Sequence, residues 1–142
     1  MDSGILGWIK AALAAAKSTA APLALRDAAA IVKAAKGKFV RNNPRAWWMK
    51  LKGEPKLYDS HKYTVGEILP TRDNRYWFIP ETEENELKVF DLTFSEIDRL
   101  LQECPFFEFY IVDKEYRWLI AESDHNQFHV LDTRRLSEPK AK

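Results

Sequence analysis

The chain has 142 residues, 22 Lys+Arg against 21 Asp+Glu, 46% hydrophobic and 30% charged content, which fits one soluble globular domain with a sizeable core. One cysteine, 5 Gly, 7 Pro and 13% aromatics exclude a disulfide framework, a collagen-like repeat and a wholly disordered chain. The charge is divided: residues 1–63 hold 12 Lys+Arg against 4 Asp+Glu, and residues 64–142 hold 10 against 17. A basic first part and an acidic second part either cover each other or face different partners.

Ser3 is suited to cap a helix over 4–17, with Ile5, Ile9, Ala12, Leu13 and Ala16 on one face and Lys10 and Lys17 on another. Asp2 stands where a signal peptide would be basic, and the apolar run Gly4 to Ala16 is shorter than the roughly 20 residues of a membrane span. A cytoplasmic chain with a reduced Cys104 and no membrane contact is expected. Pro22 starts a second helix and Gly37 stops it, with Ala24, Ala28, Ile31 and Ala35 inward. The alanines predict a helical hairpin over 1–37.

Residues 38–74 read as a basic connector, with Asn43-Pro44 opening a short helix through Leu51. Trp47 and Trp48 cannot share a helix face, so one packs inward and the other sits at a rim among Arg45, Lys50 and Lys52. From Arg75 the period changes from 3.6 to 2. Tyr76 to Ile79 is a strand apolar on both faces, and Leu87 to Leu92 is its partner. Thr93 and Glu96 form a capping box for a helix with Phe94, Ile97, Leu100 and Leu101 inward, ending before Pro105.

Phe106 to Val112 and Arg117 to Glu122 predict a hairpin pairing Val112 with Arg117, Ile111 with Trp118, Phe109 with Ile120 and Phe107 with Glu122. That register places Glu122 on a largely aromatic face. In the last strand Phe128 and Val130 point one way, and His125, Gln127 and His129 the other. The expected fold is α+β: an N-terminal helical hairpin, then a mainly antiparallel sheet of about five strands in the order ββαβββ. One domain covers 1–136, with the sheet and its helix over 75–131, and 137–142 form a loose tail. A monomer is expected, with Trp118, Phe109, Ile111 and Phe78 in its core.

The run Phe107-Glu108-Phe109-Tyr110-Ile111-Val112-Asp113-Lys114-Glu115-Tyr116-Arg117-Trp118-Leu119-Ile120-Ala121-Glu122-Ser123-Asp124-His125 resembles a family of small bacterial proteins of uncharacterised function. The likeness spans about residues 75–131 and includes the Tyr76 to Ile79 strand and the helix opening at Thr93. Where the family pattern ends in a Glu and paired histidines, this chain has Glu122 followed by Asp124-His125-Asn126. More loosely, the succession of elements is similar to bacterial toxin-immunity proteins, including the SUKH-like group. That resemblance implies a protein that neutralises a toxin.

Few residues are placed for chemistry. His125 and His129 share a strand face but lie roughly 13 Å apart at about 3.3 Å per residue, too far to ligate one ion, so no metal and no cofactor is expected. Glu122, Asp124, His125 and His129 mark a polar strand face. A small hydrolase or nuclease would take His125 or His129 as base, with Glu122 or Glu108, Tyr110 and Lys114 near it, yet no catalytic set is selected by spacing. Cys104 at a helix C-terminus makes a poor nucleophile. Nucleic-acid binding would use Arg45, Trp48, Lys50 and Lys52 within the basic first part. The leading expectation is a protein-binding module whose acidic residues Glu81, Glu83, Glu84, Glu86, Asp91, Glu96 and Asp98 meet a basic partner such as a toxin.

Overall fold

The structure is a computed structural model and describes residues 4–42, 44, 46–82, 87–123 and 126–136. In chain order the elements are α1 (Gly4–Ala15), α2 (Leu25–Phe39), a 3-10 turn (Trp47–Met49), β1 (Lys56–Asp59), α3 (Val65–Ile68), β2 (Tyr76–Pro80), β3 (Phe90–Leu92), α4 (Phe94–Glu103), β4 (Phe109–Asp113), β5 (Trp118–Glu122), β6 (Gln127–Asp132) and α5 (Thr133–Leu136). The strands form one sheet in the order β1-β6-β5-β4-β2-β3, each neighbouring pair antiparallel. The class is α+β, with six strands rather than about five.

The central strands are apolar on both sides because both sides are covered. Tyr76, Phe78, Phe109, Ile111, Trp118, Ile120, Phe128 and Val130 pack against α1, α3 and α4. Their neighbours Ile79, Tyr110, Val112, Leu119, Ala121 and Leu131 pack against α2 and the 3-10 turn. The four residues expected in the core are all at most 1% exposed.

The expected helical hairpin does not form: α1 and α2 belong to opposite faces of the sheet. A sheet apolar on both sides needs a cover on each, and each Ala-rich helix supplies one. Helix α1 closes with Lys17 in the left-handed region (φ 60) and the Ser18 N–H on the Leu13 carbonyl at 2.9 Å, an end usually taken by glycine. The linker then passes the β3 edge, where the Leu23 N–H donates to Val89 at 2.9 Å. Helix α2 starts at Leu25 and runs through Gly37 to Phe39, since Gly37 lies on the solvent side of the last turn and Phe39 is fully buried.

The connector and the hairpin also differ from the pattern expected of them. Residues 56–59 form β1, an edge strand in register with β6 from Lys56 opposite Val130 to Asp59 opposite Gln127. Thr64 and Glu67 make a capping box for α3. In the hairpin, Val112 faces Leu119, Ile111 faces Ile120 and Phe109 faces Glu122, two residues along from the expected pairing. The Asp113 carboxylate causes the shift by accepting the Arg117 and Trp118 N–H groups at 2.6 and 3.1 Å, while Tyr116 turns the chain at φ 56. A slip of two keeps every side chain on its face, so Glu122 remains among aromatics.

Candidate functional site

Glu122 ends β5 on the face shared with α1 and α4, and its cross-strand neighbours on the two sides are Phe109 and Phe128. A carboxyl between two phenyl rings loses most of its water. Burial accordingly pushes the Glu122 pKa from its ordinary 4.5 up to about 7, even though the Ser60 hydroxyl donates to it and opposes the rise. Ser60 is held in turn by its own N–H on the Asn126 carbonyl at 2.9 Å.

Above Glu122 opens a cleft of about 440 Å³. One wall is the loop between β1 and α3, shaped by Asp59, whose carboxylate accepts the His61 N–H at 2.8 Å and whose carbonyl accepts the Lys62 and Tyr63 N–H groups. The opposite wall is α4 with the segment after it, contributing Asp98, Leu101, Gln102, Cys104 and Phe107. Gly66 lets α3 approach this wall, since a methyl group there would lie 2.9 Å from the Phe94 ring. Two exposed aromatics, Tyr63 at 44% and Phe106 at 54%, stand at the mouth. Tyr63 is steadied edge-on against Tyr58 at 5.1 Å.

The charge of this cleft is one-sided. Its carboxylates are Glu122 and Asp98, the latter oriented by the Gln102 amide at 2.8 Å, and no Lys or Arg is among the described lining residues. The Cys104 thiol is pushed up by burial first and then by the Glu103 charge, so it is a weak nucleophile here. The arrangement suits a cation with an apolar stem, and it suits proton exchange near neutral pH.

The acidic residues expected to form one surface are dispersed. Glu83, Glu84 and Glu86 lie outside the described residues. Glu81 accepts the Tyr110 hydroxyl at 2.5 Å, and Asp91 pairs with Lys114 at 3.1 Å and Arg75 at 3.5 Å, both on the α2 side of the sheet. Glu96 is held in the α4 capping box and by the Ser18 hydroxyl at 2.5 Å. Burial works to raise its pKa, but the hydrogen bonds from Ser18 and Thr93 and the Arg75 charge outweigh it and leave the carboxyl low. Only Asp98 of the described members faces the cleft.

The polar strand face is likewise divided. Asp124 and His125 lie outside the described residues, and His129 is on the opposite side of the sheet from Glu122, paired with Ala121 and Leu57. His129 stacks on Trp48 at 5.6 Å, and the Trp48 indole donates to Glu108 at 3.2 Å. Trp47 is the inward one, stacked on Tyr110 at 4.3 Å. Burial, and then the hydrogen bond to Glu81, hold the Tyr110 hydroxyl well above its ordinary range. For the nucleic-acid alternative, Trp48 is thus engaged internally, Lys52 donates to the Gly37 carbonyl at 2.6 Å, Lys50 is exposed, and Arg45 is outside the described residues.

Glu122 also makes a stability prediction. The folded chain binds its proton more tightly than the unfolded chain, so its contribution is fully present below about 4.5 and is lost as pH rises through about 7. Glu122→Gln should therefore be more stable than wild type by ~2 kcal/mol at about pH 8, allowing for water at the cleft mouth, with little difference at about pH 4.5. Urea titrations of both proteins across that range check it; parallel curves would show an ordinary carboxyl.

Sequence reasoning found Glu122 through the alternation of its strand but missed Ser60, His61 and Tyr63. Thr64-Val65-Gly66-Glu67 carries the same capping signal as Thr93 to Glu96 and marks where that wall begins. Among the described residues no helix is long and apolar enough to cross a membrane. No curated protein and no solved structure matches the chain. A family of unknown function, DUF6756, matches residues 10–138, so the chain is a member of that family.

Proposed function

We propose that this protein is a protein-binding module that holds a basic partner, as an immunity or inhibitor protein holds a toxin, with the cleft over Glu122 as the centre of contact. The observation that carries the reading is a carboxyl withdrawn between Phe109 and Phe128, beneath exposed Tyr63 and Phe106, in a lining with no described Lys or Arg. Exposed aromatics around an acidic floor supply the apolar area and charge complementarity of a binding centre. The second reading, a small hydrolase, is favoured by a carboxyl titrating near neutrality, which suits general acid–base work.

The test is capture by the purified chain of the product of the neighbouring gene, followed by kinetics at two ionic strengths. Asp98→Lys combined with Phe106→Ala should slow association about tenfold and flatten its salt dependence. Unchanged kinetics would remove the cleft from the interface. Retention of nucleic acid in place of protein would favour the basic first part, and turnover lost in Glu122→Gln would favour the hydrolase.

A further inference from the structure

Resting on the reading of the cleft as a protein contact, we propose that its occupant is one arginine side chain of the basic partner, entering between Tyr63 and Phe106 with its guanidinium at the Glu122 and Asp98 carboxylates. The space is adequate: about 440 Å³ falls within the roughly 300–1,000 Å³ of small-ligand sites. The charge is selective, since a described lining with two carboxylates and no Lys or Arg rejects anions and rewards a cation. The walls choose among cations. Tyr63, Phe106, Phe107, Phe109 and Phe128 make much of the lining aromatic, and a guanidinium is planar, more weakly hydrated than an ammonium and stacks on aromatic faces.

A carboxylate accepts two parallel N–H donors from a guanidinium, the strongest neutral-pH pairing available to Glu122. The methylene stem would lie along Val65 and Leu101, which line the same cleft. The groups facing Glu122 are Ser60, His61 and Tyr63 from the β1–α3 loop, Asp98 and Cys104 from α4 and its end, and Asn126 from the β5–β6 turn. None of them is a Lys or Arg. Entry of the guanidinium favours the ionised carboxyl, so a proton leaves Glu122 on binding.

Cys104 is the chain's one cysteine and lines this cleft, so its alkylation reports occupancy. The experiment measures the rate of N-ethylmaleimide reaction at Cys104 in the full chain with n-butylguanidinium or n-butylammonium as probe. Protection by butylguanidinium at concentrations where butylammonium gives little is expected. Glu122→Gln should weaken that protection about tenfold or more, and Phe106→Ala, at an exposed position, about threefold. Circular dichroism of both variants checks that they are folded.

Equal protection by the two probes, or protection unchanged in Glu122→Gln, would overturn the proposal. A basic protein that binds wild type and Glu122→Gln equally well would leave the partner reading standing and overturn the arginine site. Selective butylguanidinium binding with no protein partner would instead overturn the partner reading, and with it the protein source of the guanidinium.

Discussion

Asp113→Ala should lower the unfolding free energy by ~3 kcal/mol, because it strips a buried acceptor from several donors at once. The Asp113 carboxylate is fully buried and takes the Arg117 and Trp118 N–H groups and the Arg117 Nε, the last at 2.6 Å. The Arg117 guanidinium then reaches Asp73 at 3.2 Å and Thr71 at 3.3 Å, tying the β4–β5 turn to the segment before β2. Without the carboxylate, Tyr116 would still have to hold a left-handed backbone that costs a non-glycine residue energy. Asp113→Asn keeps an acceptor for the N–H groups and should cost less, about 1–2 kcal/mol. Urea titration followed by circular dichroism measures both, and a loss below about 1 kcal/mol for Asp113→Ala would show that the turn closes without its side chain.

Trp118→Ala should cost ~4 kcal/mol, a large part of the stability of an ordinary domain. Trp118 is fully buried, lies against Tyr76 at 5.7 Å, and donates its indole N–H to the Thr71 hydroxyl at 2.9 Å. Truncation leaves a cavity beside Tyr76 and removes one donor from the Thr71 hydroxyl, which also accepts from Arg117. Because Asp113 accepts the Trp118 backbone N–H, and the Arg117 it holds meets the Trp118 indole at Thr71, the double variant should lose less than the two single losses combined. Trp8→Ala is the control: at 39% exposed it should cost under about 1 kcal/mol. A Trp118→Ala protein as stable as that control would contradict the assigned core.

The pattern of the strands reveals much of this, because alternation is a local property. Phe78, Phe109, Ile111 and Trp118 read as core, and Glu122 reads as the exception on their face, because successive side chains alternate whatever the register. The capping box at Thr93 is likewise local. What was illegible depended on distant partners. The hairpin register turns on the Asp113 side chain closing the turn, which the run of residue types does not display. The separation of α1 from α2 follows from a sheet needing cover on both faces, and from the Leu23–Val89 bond that routes the linker past its edge. Strand β1 was hidden because an edge strand that is mostly exposed lacks the apolar alternation of a half-buried one, and only Tyr58 of its residues is partly buried.

Dispersal of the acidic run has the same origin. Glu81, Asp91, Glu96 and Asp98 are close in sequence, but β2, β3 and α4 carry them to two faces and bind three of them internally. A chemically distinctive position came from the opposite situation, a single acid on an apolar strand face. Its charge is unsupported by any described Lys or Arg in the cleft, so its proton affinity is set by burial, with Ser60 as the counterweight.

Carbon-detected NMR titration of the Glu122 side-chain carboxyl, assigned by comparison with Glu122→Gln, tests this most directly. Burial of the carboxyl predicts a midpoint near 7 in the free protein, far above the ordinary 4.5, and the proposed cation site predicts a lower midpoint when butylguanidinium is present. A midpoint close to 4.5 in the free protein, unmoved by the cation, would contradict a carboxyl withdrawn from water to receive one.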